Sequence, residues 1–299
     1  MPAETYSDKI IRCSPEEAKN VILGMGGRHP IYLSGPPGVG KSSITVAVVK
    51  ELDFYLEDLR GTMMSPVDVG GIPVPDMETR ETIWTCPEFF VTEEKIKKAG
   101  KKGALLVFEE FGSSAPAVMV AFQQILLDRR IRSWKLPSAD ICWMVGCGNQ
   151  ITDRGVVFKL PAPVADRMIM LTIETNTEQW ISWAQEADLH PIVTAFIRMN
   201  PNLLAPPYGQ EESGYAFPTP RSWEKVSDLM KMLNDPNSSL DRRSRDLAIY
   251  GTVGQGAGMQ FIAYAEIEAD LPDVNDLLNG TGELPPKNYF YNLSPSVQH

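Results

Sequence analysis

Residues 35–42, with the sequence GPPGVGKS, do most to limit what this chain can fold into. They fit the pattern G-x-x-x-x-G-K-[ST] and stand between an apolar run at 31–33 and a run with helical spacing at 41–52. A strand, a glycine-rich turn and a helix in this order let backbone N–H groups surround a phosphate. The segment therefore predicts an α/β unit with a phosphate site at the start of a helix.

Each residue type in this segment suits the binding of a nucleotide. Glycines let the loop curl without Cβ clashes, and the ammonium of Lys41 can reach the β- and γ-phosphates. The Ser42 hydroxyl is a suitable Mg²⁺ ligand. The residues predicted to bind the nucleotide are Gly35, Pro36, Pro37, Gly38, Val39, Gly40, Lys41, Ser42 and Ser43.

Two adjacent carboxylates end a second apolar run, ALLVFEE at 104–110. An acidic pair at a strand end is commonly just solvated, but this one follows a phosphate-binding loop on an apolar strand. Glu109 is therefore predicted to hold the shell of the Mg²⁺ ion, and Glu110 to act as the base that polarises the attacking water. ATP and Mg²⁺ are the predicted cofactors.

Three more side chains follow in an order that fits the same site. Asn149 comes after a predicted strand, where its amide can orient the attacking water. Arg167 precedes another predicted strand, and Arg221 opens a helix. A lone asparagine or arginine is usually a surface or capping residue, so it is the order of the three along the chain that favours a functional interpretation.

Strand and helix patterns alternate up to about residue 174 and predict a parallel sheet covered by helices on both faces. Only helical patterns follow, at 177–198, 219–233 and 240–268. We therefore expect an αβα core over 1–174, a small all-helical lid over 175–270 and an extended tail over 271–299. Ser14-Pro15-Glu16-Glu17 predicts the start of the first helix, with a serine cap and a glutamate at N3.

Residues 61–84, rich in Gly, Pro and Met, predict a hairpin within the core, with arms at 72–74 and 81–84. Met63 and Met64 suit either a soft contact surface for a partner or simple packing, and the sequence does not decide between them. The glycines at 251, 254, 256 and 258 favour close helix packing in the lid over a second phosphate site.

The chain carries 28 Lys and Arg against 38 Asp and Glu, a net charge of −10. Such a surface repels phosphate backbones and anionic lipid, so neither nucleic acid nor a membrane surface is the expected partner. No apolar run reaches the roughly 18 residues of a membrane helix. No secretory signal, disulfide pattern or zinc spacing is evident, and we expect a cytoplasmic protein.

Taken together, these segments resemble AAA+ ATPases, most closely the MoxR group. The matching segments are GPPGVGKSS (35–43), LLVFEEFGSSAP (105–116), QQILLDR (123–129), GCGNQ (146–150), LPAPVADRM (160–168) and FPTPRSW (217–223). The resemblance assigns them to Walker A, Walker B, the helix after it, sensor 1, the arginine-finger region and sensor 2. Glu109 stands where the family usually has Asp, and Met168 where it usually has Phe.

The resemblance implies ATP hydrolysis in a homo-oligomeric ring, usually a hexamer, with ATP bound between protomers. Arg167 would then reach the nucleotide of the next subunit, with Arg129, Arg130 and Arg154 as rivals, and the hairpin would enter the central pore. Such rings often remodel or activate a protein client, in many cases with a von Willebrand factor A domain partner. The alternative on the same core is a nucleic-acid motor or loader.

Overall fold

The computed structural model describes residues 12–149, 160–206, 215–233 and 240–269. The strands in these residues are β1 (Arg12–Cys13), β2 (Ile31–Ser34), β3 (Phe54–Arg60), β4 (Pro73–Pro75), β5 (Thr82–Trp84), β6 (Gly103–Glu109), β7 (Arg130–Ile131), β8 (Trp134–Lys135), β9 (Cys142–Gly148) and β10 (Ile169–Ile173). The helices are α1 (Pro15–Met25), α2 (Lys41–Leu52), α3 (Pro66–Gly70), α4 (Glu93–Lys98), α5 (Pro116–Asp128), α6 (Ala162–Ala165), α7 (Thr177–Glu186), α8 (Pro191–Met199), α9 (Pro220–Leu233), α10 (Arg242–Val253) and α11 (Gln255–Ala269).

Six strands form one sheet in the order β1-β10-β2-β9-β6-β3, and every neighbouring pair is parallel. The carboxyl ends of all six strands therefore lie along the same edge of the sheet. Ligands of open parallel sheets bind in the crevice beyond that edge. The prediction of an αβα core of the P-loop type, followed by a helical lid, is confirmed.

The two faces of the sheet bury different helices. On β6, Leu105 and Val107 pack in a core with α1 and α2, whereas Leu106 and Phe108 pack in a core with α5. This alternation follows from the period of two along a strand, and covering both faces gives the strand its uninterrupted apolar sequence. Cys142 and Cys147 of β9 divide between the two cores in the same way, as their odd spacing predicts. All four cysteines are free thiols.

Helices α7 to α11 surround a separate core whose centre is aromatic. Phe196 contacts Trp223 and Phe261 with ring centroids 5.5 and 5.3 Å apart, and the Trp223 indole N–H donates to the Leu203 carbonyl at 2.8 Å. Burying these large rings stabilises the lid strongly, since each removes about 150–250 Å² from water.

Two of the three helices predicted for the lid are in fact pairs of helices. The predicted helix at 177–198 stops at Glu186, because Asp188 adopts φ +56° and Pro191 starts a new helix. The predicted helix at 240–268 breaks at Gly254, whose φ of +81° favours glycine. The third, predicted at 219–233, is α9.

The predicted hairpin is present as β4 and β5, paired antiparallel with Val74 opposite Ile83. Pattern reading missed the short hairpin of β7 and β8, the edge strand β1 and the one-turn helix α3. Each of these is too short to show a period. Within the described ranges, no helix is long and apolar enough to cross a membrane.

Candidate nucleotide site

The glycine-rich loop joins β2 to α2 in a conformation that needs its glycines. Gly38 adopts φ +77°, and a Cβ there would lie 2.9 Å from the Cβ of Thr219 in the lid. Gly40, at the N-cap of α2, is also left-handed, and among the described residues no side chain caps this helix. The first N–H groups of a helix have no partner within the helix, so they are available to an anion held by the loop.

The ammonium of Lys41 lies within the loop and joins it to the end of β9. Its Nζ donates to the carbonyls of Gly35 at 2.6 Å and Pro36 at 2.9 Å, and to the Oδ1 of Asn149 at 3.3 Å. Residues 34 and 148 are paired across β2 and β9, so Asn149 stands level with the first glycine of the loop. The structure thus places two predicted site residues, Lys41 and Asn149, in direct contact.

Glu109 ends β6 on the next strand along the same edge. Its carboxylate is half-buried and close to the buried Cys147 thiol. Burial raises the pKa of Cys147, and the Glu109 carboxylate raises it further, while the Lys41 ammonium lowers it. The Lys41 ammonium, held by Asn149 beyond the end of β9, and the Glu109 carboxylate at the end of β6 are thus both near this thiol. The side chains of Ser42 and Ser43 are exposed at the start of α2.

Glu110 leaves the strand direction and points its carboxylate toward a different partner. It adopts φ +53°, and its Oε2 accepts a hydrogen bond of 2.5 Å from the hydroxyl of Thr62. Thr62 lies in the turn that follows β3, at the beginning of the 61–84 segment, and this turn packs against the turn at 111–113. Sequence reasoning missed Thr62, because nothing local signals a contact between residues 48 positions apart.

The first turn of α9 lies over the phosphate loop. Thr219 contacts Gly38 and caps α9, its Oγ1 accepting from the Ser222 N–H at 3.0 Å. Arg221 is exposed in that first turn, near the half-buried Glu224, whose pKa burial raises and Arg221 lowers. Arg221 is thus two residues along the chain from Thr219, the lid residue that contacts the loop.

Arg167 is at the other end of the sheet from its own phosphate loop. Arg167 is exposed and lies just before Ile169, which is paired with Ile31, the first residue of β2. The phosphate loop, in contrast, follows Ser34, the last residue of β2. Four residues of strand separate these levels, about 13 Å. The structure thus does not bring Arg167 to the site formed by its own chain.

The rival arginines differ in their surroundings. Arg129 donates to the carbonyls of Pro137 and Cys142 at 2.9 and 2.7 Å, which gives it a structural task. Arg130 is exposed and lies 3.9 Å from a carboxylate oxygen of Asp128. Arg154 falls outside the described residues.

A cavity of about 280 Å³ opens beside the loop, between the core and the lid. Its size is close to the lower limit of small-molecule sites, about 300 Å³. No local sequence pattern indicates this cavity, because its walls come from four distant segments. The lining residues are Arg12, Pro36, Thr172, Ile173, Glu174, Thr175, Thr177, Pro201, Asn202, Leu204, Ala205 and Pro206.

Comparison with known proteins gives a general likeness of fold. No family model matches the chain, and no curated protein matches it. Among solved structures, a putative ATPase from Cytophaga hutchinsonii is 14% identical over 75% of this chain and 60% of that one, with a TM-score of 0.40. This chain thus spans less than two thirds of that protein.

Two structures of Thermotoga maritima RuvB are also similar. One is a point mutant, 16% identical over 85% of this chain and 67% of that one; the other, described as a Holliday junction branch migration motor, is 14% identical over 85% and 68%. Both have TM-scores of 0.43. The fold described above rests on the strand order and on the two cores of the sheet, independently of these likenesses.

Proposed function

We infer that this chain is a Mg²⁺-dependent ATPase of the AAA+ class, of the MoxR group, that works as a ring and remodels or activates a partner protein. The observation that carries this proposal is the meeting of four groups at adjacent strand ends. The loop follows β2, Asn149 follows β9 and contacts Lys41, and Glu109 ends β6 with Glu110 directly after it. Such a set can hold a triphosphate, a metal ion and a water molecule together.

The residues present fit the predicted cofactors. The Ser42 hydroxyl and the Glu109 carboxylate are oxygen donors, which Mg²⁺ prefers. Bound Mg²⁺ would neutralise phosphate charge at these two residues. Lys41, which donates to loop carbonyls, would donate to phosphate oxygens instead, and the cavity beside Pro36 is placed for the nucleoside.

Glu110 would accept the proton of the attacking water, with Asn149 orienting that water. Arg221 would stabilise phosphate charge from the lid, and Arg167 of one subunit would do so for the next. The division into a core (1–174), a lid (175–270) and a tail (271–299) is part of this proposal. So are the hexameric ring and the von Willebrand factor A partner, which rest on the family resemblance, and the cytoplasmic location, which rests on the sequence pattern.

Partner choice favours a protein over nucleic acid. The lysines near the end of α4 are partly engaged locally, since Lys101 pairs with Asp53 at 2.6 Å and Lys95 donates to the Glu88 carbonyl. Together with the net charge of −10, this local pairing makes a phosphate backbone a less favourable partner than a protein.

The proposal is tested by comparing two lysine variants of the same helix. Lys41→Ala removes the ammonium of the loop, whereas Lys50→Ala removes an exposed one from the last turn of α2. We expect Lys41→Ala to lose Mg²⁺-ATP binding, measured by titration with a fluorescent ATP analogue, and to lose phosphate release. Lys50→Ala should retain both. Equal affinity in the two variants would refute the site.

A further inference from the structure

The hairpin of β4 and β5 has two faces, and one of them is held by a contact from another part of the molecule. On that face, the guanidinium of Arg132 stacks on the ring of Trp84, 3.2 Å from the ring centroid. The Nε of Arg132 also donates to the Gly70 carbonyl at 3.0 Å. Arg132 comes from the β7–β8 hairpin, so it braces the longer hairpin against a second one.

The opposite face of the hairpin is apolar and exposed. Val74 and Ile83 are directly opposite each other in the pairing, and the Ile72 carbonyl accepts from the Thr85 N–H, which extends the same register. Ile72 and Ile83 are 58% and 55% exposed. Side chains two residues apart share a face, so these three form one stripe.

This stripe continues into a groove of about 690 Å³ that runs between the 61–88 segment and β3. Ile72 and Val67 lie on one wall, and residues 57–60 of β3 form the other. Met64 packs against the core, whereas Met63, also in the groove, is 79% exposed. Of the two methionines, Met63 is therefore the one available for contact.

The wall formed by β3 favours an extended occupant. β3 is the last strand of the sheet, and among the described residues no strand pairs with its outer edge. Such an edge presents backbone N–H and C=O groups that another extended chain can pair with. A helix or a compact surface does not offer that pairing.

The charges around the groove select the side chains of the occupant. Four carboxylates and two cations line it: Glu57, Asp58, Asp68, Glu88, Arg60 and Lys95. Arg60 is already paired with Asp58 at 3.5 Å, and Lys95 donates to the Glu88 carbonyl. An incoming chain therefore meets an excess of negative charge. The segment 270–299 fits poorly, because it carries three Asp and one Glu against a single Lys.

We propose that this groove and the open hairpin face bind an extended segment of a partner protein in which apolar and basic side chains alternate. The apolar side chains would lie on Met63, Val67 and Ile72, and the basic ones would face Glu57 and Glu88. This inference rests on the proposed function and specifies the class of partner protein. The binding of the segment itself requires no nucleotide.

The test uses fluorescence anisotropy of labelled nine-residue peptides with the full chain. A peptide of alternating Val and Lys should bind, and one of alternating Val and Glu should not. We expect Ile72→Ser with Ile83→Ser to weaken binding at least tenfold, and Glu88→Lys to weaken it severalfold, more at low salt. The controls Met259→Ser and Glu186→Lys, both exposed in the lid, should bind as the parent chain does.

The outcomes distinguish this proposal from other occupants and from the nucleotide site. Equal binding of both peptides, or no loss in the groove variants, would overturn it. Competition by a 270–299 peptide would also overturn it, because the tail would then be the occupant. A change in the molecular mass of the particle in the Ile72→Ser/Ile83→Ser variant would overturn it as well, because it would indicate that a second copy of this chain occupies the groove. Peptide binding by Lys41→Ala should be unchanged, so loss of ATP binding there leaves this proposal standing.

Discussion

Single hydrogen bonds determine which groups of the candidate site are ready to act. The Glu110 carboxylate accepts a hydrogen bond of 2.5 Å from Thr62. This bond occupies one of the carboxylate oxygens that would accept the proton of the attacking water. In this structure the proposed base is thus restrained by the first turn of the 61–84 segment.

Thr62→Val removes this bond with little change in shape. We expect basal phosphate release to rise about two- to fivefold, since a charged hydrogen bond at an exposed site has a modest free energy. Thr79→Val, at the tip of the hairpin, is the control for loss of a hydroxyl from the same segment. A fall in the rate would show instead that Thr62 holds Glu110 in its working position.

Glu110→Gln should retain bound ATP while losing turnover.

Among single residues of the site, the sequence predicts those that directly follow a strand. It does not predict those that reach the site through tertiary packing. Lys41 and Asn149 meet because their strands are neighbours, as the motif order indicates. Thr62 and Arg12, which lines the cavity, are brought to the site by tertiary contacts, and these leave no pattern in the local sequence. The catalytic roles assigned to the predicted residues stay predictions.

Elements begin and end where capping and backbone geometry require it. The Ser14 capping box starts α1 as predicted: its N–H donates to Glu17 Oε2 at 2.8 Å, and its Oγ accepts from the Glu17 N–H. In the lid, apolar spacing continues across Pro191 and Gly254 and suggests longer helices than exist. Periodicity records which face is buried, whereas proline and positive φ decide where a helix stops.

Two capping boxes of the same chemistry allow the contribution of α1 to be measured. Ser14→Ala should lower the free energy of unfolding by about 1 kcal/mol, measured by urea denaturation. Ser65→Ala removes the equivalent cap of α3, which is exposed, and should change global stability much less. Equal losses would show that α3 belongs to the same cooperative unit as the core.

The same cap gives a dependence on pH. Hydrogen bonds from Ser14 hold the pKa of Glu17 below its usual value. The charged form is therefore the stabilising one: its contribution is present above the ordinary carboxyl pKa and is lost as pH falls through the lowered value. The difference between Ser14→Ala and the parent chain should narrow as pH falls through this range.

At the scale of the whole molecule, a single chain does not bring all the cations proposed for the nucleotide site together. The parallel sheet and its two covered faces follow from alternating strand and helix patterns, but the strand order does not, because periodicity carries no information on neighbours. Arg167 precedes β10, which is parallel to β2, so it lies at the amino end of the sheet, about 13 Å in strand levels from its own loop. If Arg167 acts on ATP, as proposed above, it must therefore act on the nucleotide of a second subunit.

Arg167→Ala should bind ATP as the parent chain does and lose phosphate release by about a thousandfold, the usual effect of a finger. Lys41→Ala should be inactive because it binds no ATP. Mixing the two inactive variants should restore turnover, since the intact loop of one meets the intact arginine of the other. Random assembly makes about one site in four complete. Arg198→Ala, an exposed arginine of α8, is the matched control and should be active alone. If the mixture stayed inactive while both variants assembled, Arg167 would not act on a neighbouring subunit.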